Sequence, residues 1–518
     1  MLNLPIKILD KIVSVADDEQ ITFSNIDTLV AQWDAMAKVT SRHLVLFINA
    51  RSIDVSDSIT NFLRFNGSAA MDYRYERLSG VFNVDSAGRV DGANAINLPP
   101  ICGANNANLF GGSMVLIPHA FNTTNHKTVL ALGGSCEFAV EAVAGRWAQA
   151  AAITSVTLLE GVGDDYVVGS EFLLGVVDER YLVEEIEDAA ADFSPTFDNI
   201  PQGDGDLAVV AFARSDAGAV DDEVLHIIND DDTAGNYPAQ QLAAIDGATN
   251  AVNLNQEVGI VSGDNATALV FGALAGVYSQ FTKQNQPHFL TQSGYHENTG
   301  PTGEVRVMSG RKSAVEPINK LALIPQQGTD FKAGSLFSLY RIPKRVIDRQ
   351  VLTEDAATIT FDNIPQYYDA LILHIYARSD WAAADDPVNV SFNNDLVDGN
   401  YRQQTMYGNG AAVTAFRTNV RRIYGVTAAT WADTAFGGGS LLFPNYASTD
   451  RYKNRICLVG ESDRLVSIHS SRWLNTDPVT RIDLTLFAGP NFIPGSVFEL
   501  EGVLRKEGLP ASAGMRWG

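Results

Sequence analysis

The chain writes one heptapeptide three times. Ile359-Thr360-Phe361-Asp362-Asn363-Ile364-Pro365 recurs as Pro195-Thr196-Phe197-Asp198-Asn199-Ile200-Pro201 and, more loosely, as Ile21-Thr22-Phe23-Ser24-Asn25-Ile26-Asp27. Phe23 to Phe197 spans 174 positions and Phe197 to Phe361 spans 164. A short motif returning at nearly constant distance marks tandem structural units. At 518 residues the chain is also too long for one core. Three domains are therefore expected, over 1–178, 179–343 and 344–505, with a C-terminal tail over 506–518.

Further landmarks follow in the same order in each unit. An apolar run closed by Ala-Arg-Ser comes first: Leu44 to Ser52, Leu207 to Ser215 and Leu371 to Ser379. These runs are short, rich in β-branched and aromatic residues and bounded by turn formers, so they read as buried central strands. Next come Phe65-Asn66-Gly67, Ile228-Asn229-Asp230 and Phe392-Asn393-Asn394, each leading to a tyrosine: Tyr73 (or Tyr75), Tyr237 and Tyr401. Asn and Gly tolerate positive φ, and a hairpin is the simplest expectation there.

Gly145-Arg146-Trp147 and Ser471-Arg472-Trp473 match each other, with Gly310-Arg311-Lys312 in the corresponding place. Every unit closes on Gly-Ser-x-Phe, at Gly169 to Phe172, Gly334 to Phe337 and Gly495 to Phe498. An opening and a closing strand of fixed identity suggest neighbours in one sheet. Forty-three glycines, many beside Asn or Asp, favour tight turns and β-structure. The expected fold is all-β: three tandem jelly-roll-like β-sandwich domains.

One insertion breaks the pattern. Ile26 to Ala50 is 24 residues, whereas Ile200 to Ala213 and Ile364 to Ala377 are 13 each. Within it, Leu29, Val30, Trp33, Met36 and Ala37 fall on one face of a helix, predicted over about 27–38, with Asp27 or Thr28 able to cap its start. The helix either plugs its own domain or marks where unit one meets a partner. The connecting segments, Val177 to Ala190 and Pro343 to Ala356, are acidic (Glu184, Glu185, Glu187, Asp188) and basic (Arg341, Lys344, Arg345, Arg349) respectively. Neither resembles a Gly/Ser tether, so the units are expected to pack together, with these charges read first as solvated surface.

Composition narrows the function. A formal net charge of −24 repels nucleic-acid phosphate and is read as solubility before cation binding. Cys102, Cys136 and Cys457 are odd in number and lack CxxC spacing, which argues against a disulfide framework or structural zinc. The N-terminus has no secretory pattern and no stretch reaches eighteen apolar residues, so a non-membrane protein made in a cytoplasm is expected.

No motif carries chemistry. The acidic pairs Asp17-Asp18, Asp164-Asp165, Asp221-Asp222 and Asp385-Asp386 are unremarked in an acidic chain, and glycosidase carboxylates pair in space rather than in sequence. Asn229 to Asn236 is rich in oxygen donors like a calcium loop, but Gln240 stands where the bidentate glutamate would be. His43, His119, His126, His226, His288, His296, His374 and His469 form no ligand pattern, and His374, inside an apolar run, reads as a hydrogen-bonded core group. Nucleophile-elbow and phosphate-loop patterns are absent. Trp147, Trp473, Tyr367 and Tyr368 could be sugar-stacking platforms, although the tryptophans read first as core. We expect no catalytic, cofactor-binding or metal residues.

Taken together, the succession from Ile359 to Leu500, with its two earlier copies, resembles β-sandwich domains in virion structural proteins of tailed bacteriophages. Such domains occur in capsid decoration proteins and in fibre or appendage proteins. Unit one departs most, lacking the proline after Ile26 and carrying the helix. The resemblance implies a non-enzymatic virion protein assembled in the host cytoplasm. Its expected partners are the major capsid protein or tail proteins, and self-association is open; nucleic acid and membrane are not expected. Three sandwiches in one chain could imitate a trimer on a three-fold position of a shell. The alternatives are a tail- or fibre-associated carbohydrate-binding adhesin and a glycoside-active enzyme.

Overall fold

The computed structural model describes residues 4–503, apart from 106, 162, 188–193, 204, 283–285, 298–301, 343–345, 432–433 and 462–463. The tail over 506–518, the 343/344 boundary, and Asp188, Lys344 and Arg345 of the connecting segments lie outside the described residues.

Unit 1 contains twelve strands: β1 (Ile6–Val13), β2 (Gln20–Phe23), β3 (Leu44–Ala50), β4 (Ser58–Phe65), β5 (Tyr73–Val81), β6 (Val84–Ala93), β7 (Ile96–Cys102), β8 (Gly111–Ile117), β9 (Lys127–Gly134), β10 (Ala139–Trp147), β11 (Val156–Glu160) and β12 (Glu171–Val177). They form an eight-stranded sheet, ordered β1-β12-β3-β8-β9-β10-β5-β6, and a four-stranded sheet, ordered β2-β11-β4-β7. The chain changes sheet at eight of these eleven connections, a jelly-roll-like winding. Units 2 (strands from Leu182–Glu187 to Leu336–Ile342) and 3 (from Val346–Val351 to Val497–Val503) repeat both orders strand for strand. The fold is all-β, three tandem jelly-roll-like sandwiches.

Two local expectations are corrected. The opening strand β2 and the closing strand β12 lie in opposite sheets, and β12 pairs instead with β1 and β3. Nor is the Asn turn a hairpin: it carries the chain from β4 in the small sheet to β5 in the large one. The connecting segments are largely strand, since Leu182–Glu187 and Val346–Val351 are the β1 counterparts of units 2 and 3.

The insertion is α1 (Ile26–Ala37). Asn25 precedes it with φ 54° and no side-chain cap, so neither Asp27 nor Thr28 serves as one. Ile26, Val30 and Trp33 are buried in the sandwich core of unit 1, while Met36 turns outward. Lys7 Nζ and the Arg180 guanidinium each lie 4.8 Å from the centre of the Trp33 ring. The helix covers its own domain. No helix among the described residues is long and apolar enough to cross a membrane.

Among the described residues the large apolar clusters are three sandwich cores and one between them, with two small satellites. Leu46, Phe65, Trp147 and Phe172 fill unit 1, with counterpart clusters in units 2 and 3. Val45, Leu78, Leu130 and Ala142, on the other face of the large sheet of unit 1, join Val210, Leu242 and Val307 of unit 2 and Ile372, Met406 and Ile468 of unit 3 in a single cluster. Thus β3 is buried along its whole length because both its faces are covered. The interior is so close that a Cβ on Gly80 would meet Met406 Cβ at 3.1 Å, and one on Gly408 would meet Leu242 Cβ at 3.2 Å.

The arrangement closes on itself. His126 N–H donates to Leu269 O (3.0 Å), Gln286 N–H to Thr434 O (3.3 Å), and Tyr452 N–H to Asn108 O (2.8 Å). Each donor lies just before the β9-type strand and each acceptor two residues before the phenylalanine that precedes the β8-type strand. Unit 1 therefore grips unit 2, unit 2 grips unit 3, and unit 3 grips unit 1, as in a trimer with pseudo-three-fold symmetry.

Candidate functional site

The repeated motifs are consumed by the fold. Asn66, Asn229 and Asn393 adopt positive φ, and each amide clamps the approach to the β11-type strand. Asn66 Oδ1 accepts from Thr154 and Ser155 N–H, Asn229 from Asn319 and Lys320, and Asn393 from Thr480 and Arg481. The tyrosine that follows turns back on the corner: the N–H groups of Phe65, Ile228 and Phe392 donate to Tyr73, Tyr237 and Tyr401 Oη at 2.8, 3.0 and 2.9 Å. The Ala-Arg-Ser and Gly-Ser motifs meet, as the backbone N–H of Arg51, Arg214 and Arg378 donates to Ser170, Ser335 and Ser496 Oγ. These motifs build corners and latches.

The chemistry that varies lies at the seams between units. At the seam of units 1 and 2, Arg42 of unit 1 reaches Glu185 (3.4 Å) and Glu187 (3.8 Å) of unit 2. Beside them, Tyr340 Oη donates to Glu179 Oε1 at 3.0 Å. Burial pushes the Glu179 carboxyl up to about 8 and holds His43 and His119 down at about 3 and about 4. Glu185 of the acidic segment thus grips the neighbouring unit, while Glu184 and Glu187 stay exposed, as expected of solvated surface.

At the seam of units 3 and 1, Glu137 is the hub. Buried to 1% exposure, it receives Arg402 (3.1 Å), Arg417 and Arg472, all from unit 3. Arg472 is the arginine of a repeated motif, but Glu137 carries no sequence mark and the reading of the motifs passed over it. At the seam of units 2 and 3, Tyr376 Oη donates to Gln286 O (2.9 Å), and Arg311, the counterpart of Arg472, faces the Trp431 ring.

A polar groove of about 380 Å³ opens at the seam of units 3 and 1. On its floor, Lys11 Nζ bridges Glu171 Oε2 (2.9 Å) and Asp369 Oδ1 (3.0 Å). Arg451 lies 4.2 Å from the centre of the Phe110 ring, donates to Gly169 O at 2.7 Å, and pairs with Asp450 at 2.8 Å. That pairing holds the Asp450 carboxyl down at about 2. Tyr368 forms part of the wall, and its ring centre is 4.5 Å from that of Tyr367, which is 58% exposed.

The remaining candidates are structural. Asp222 accepts from Gln327 and Gly328 N–H, and Asp386 from Ala488 and Gly489 N–H, so each holds a turn. In the calcium-like stretch, Asp231 accepts from Thr233 N–H and Asn236 Nδ2 and lies 3.6 Å from Lys312. Among the described residues no group of His, Cys, Asp and Glu is placed to hold a metal ion. Trp147 and Trp473 are buried, the latter donating to Asp395 at 2.7 Å; the three cysteines are buried thiols. His374 bonds Ser440 Oγ at 3.0 Å inside the shared core, as a core histidine should.

No family model matches this chain, and no curated protein matches it. Among solved structures, the mouse laminin alpha1 chain, domains LG4-5, aligns with 62% of this chain and 89% of that chain at 12% identity, with a TM-score of 0.15. A likeness that slight carries no argument.

Proposed function

We propose that this protein is a non-enzymatic structural component of a bacteriophage virion, a capsid decoration protein that caps a three-fold or quasi-three-fold position as a single chain. The observation that supports this reading is the closed ring of hydrogen bonds from unit 1 to 2, 2 to 3 and 3 to 1. A ring with pseudo-three-fold symmetry matches a three-fold capsid position while presenting three chemically distinct sectors, so it can distinguish neighbours that a true homotrimer would treat alike. Its partners would be the major capsid protein or, in the second reading, tail proteins. That second reading, a tail- or fibre-associated carbohydrate-binding adhesin, is favoured by the groove beside Tyr367 and Tyr368.

A cryo-EM reconstruction of the source particle tests the proposal. One ring at each three-fold position is the expected result. Copies confined to the tail would transfer the protein to the second reading, and its absence from the particle would remove both.

A further inference from the structure

We infer that the groove between units 3 and 1 is a binding site for the end of a neutral oligosaccharide, one site per chain. Charge chooses the ligand class. Each of the three carboxylates lining the groove has a cation within 3.0 Å: Glu171 and Asp369 share Lys11, and Asp450 has Arg451. An ionic ligand would have to displace these pairs and leave a partner behind, which is costly because Asp369, Glu171 and Arg451 are largely buried. A neutral polyhydroxylated ligand does not. It can give hydrogen bonds to the exposed Asp450 carboxylate and take them from the fixed cations, which are already oriented by their partners.

Tyr368, which lines the groove, and Tyr367 next to it supply the second half of such a site. Tyr367 and Tyr368 stand side by side with their hydroxyls 3.3 Å apart, and Tyr367 is well exposed. An aromatic face suits the apolar C–H face of a pyranose, and its hydroxyl serves the polar edge. Exposed tyrosine beside a polar groove differs from the buried Trp147 and Trp473, which have no surface to offer. The volume lies at the lower end of the range for small-molecule sites.

The site is not repeated at the seam of units 1 and 2, although the fold is. Sheet register places Glu185 where Lys11 stands and Leu336 where Glu171 stands, and Arg42 takes the place of Asp369, two residues before the repeated leucine (Leu44, Leu371). An apolar side chain replaces one floor carboxylate there, and Arg42 closes directly on Glu185. This inference concerns the groove alone and stands whether the protein sits on a shell or on a tail.

Saturation-transfer NMR on the full chain, with maltose, lactose and chitobiose as neutral probes and N-acetylneuraminic acid as the charged control, tests it. At least one neutral disaccharide is expected to receive saturation at about 10 mM, a concentration suited to a weak site. Thr449→Trp, at an exposed position on the rim, should abolish the transfer. Tyr367→Ala should weaken binding about fivefold or more, the loss of one stacking contact. Unchanged thermal unfolding of both variants would keep misfolding out of the comparison. Silence from all three neutral probes, transfer that survives Thr449→Trp, or stronger binding of the charged control would each overturn the inference.

Discussion

At one set of matched positions the seam of units 1 and 2 and the seam of units 3 and 1 have the same backbone geometry and opposite polarity. In the first, a cation on unit 1 (Arg42) meets anions on unit 2 (Glu185, Glu187); in the second, an anion on unit 3 (Asp369) meets a cation on unit 1 (Lys11). The Glu137 hub, an anion on unit 1 meeting cations on unit 3, keeps the polarity of the first. The difference teaches that the fold supplies the contact while the charges supply the order. If unit 3 were seated on unit 2 as unit 1 is, Asp369 would confront Glu185, and like charges at close quarters reject a wrong partner more effectively than attraction selects a right one. Three tandem copies of one fold could otherwise exchange between chains, so the reversal favours closure within a chain over swapping between chains.

The largest expected effect on this comparison is that of acid. His43, His226, His288 and His469 are held at about 3, and His119, His126 and His296 at about 4, in each case mainly by burial. These seven stay neutral in the fold and are protonated on unfolding, so stability falls as pH drops below about 6.5. Glu76 and Glu179, raised to about 8, Glu304, raised to about 7, and Glu141, Glu185, Asp221, Glu257 and Glu461, also pushed up by burial, work the other way, as does His374, held up against its burial by Glu501. The first three keep a proton that the unfolded chain releases above about 4.5, and the stability this gives is lost as pH rises towards 8. Above about pH 6.5 the seven histidines no longer titrate in either state, whereas the raised carboxyls still lose their protons in the fold. Melting temperature should therefore fall between about pH 6.5 and 8; a steady rise across that range would contradict the assignment. The seam of units 1 and 2, which holds His43 and His119, should be the weaker in acid.

Next in size is Glu137→Ala. It leaves Arg402, Arg417 and Arg472 facing each other across a buried position, at a cost of about 3–5 kcal/mol. Denaturant unfolding measures the loss, and limited proteolysis should then release unit 3 first. A change below about 1 kcal/mol would show that the hub is not what joins units 3 and 1.

Lys11→Glu brings a third carboxylate against Glu171 and Asp369 and should cost about 1–2 kcal/mol, since the site is partly solvated. Adding Asp369→Arg installs the polarity of the other seam and should recover much of that loss. A double-mutant cycle with no coupling would sink the polarity argument. The smallest effect is expected from Arg42→Ala, at most about 1 kcal/mol, because its side chain is about one-third exposed. Equal losses from Arg42→Ala and Glu137→Ala would erase the contrast between the seams.

Much of the unit was legible in the chain. The shortness and the β-branched and aromatic content of the apolar runs, bounded by turn formers, gave the central strands, and the eleven-residue excess in unit 1 gave α1 to within a residue or so. The motif Asn, Tyr and Ser residues were visible as repeats, but their roles were not. A positive-φ asparagine before a tyrosine is compatible with a hairpin and with a corner between sheets, and local sequence does not say which sheet the next strand joins. Tyr367 and Tyr368 were singled out as a possible platform, whereas Lys11, Glu171, Asp369 and Arg451 were not, since they come from four separate stretches of the chain.

By itself, then, the sequence determined the number of units, their β character, the place of the helix and the residues that recur. Those properties are local, set by side-chain period, turn chemistry and spacing. Only the tertiary structure decided that the outer faces of three large sheets are covered by one another, that the ring closes from unit 3 to unit 1, and that one seam opens into a groove. A fully apolar strand reads the same whether its second face meets a sheet of its own domain or a neighbouring domain. The charges that separate the seams acquire meaning only when Lys11 and Asp369, 358 positions apart, come to lie within 3.0 Å.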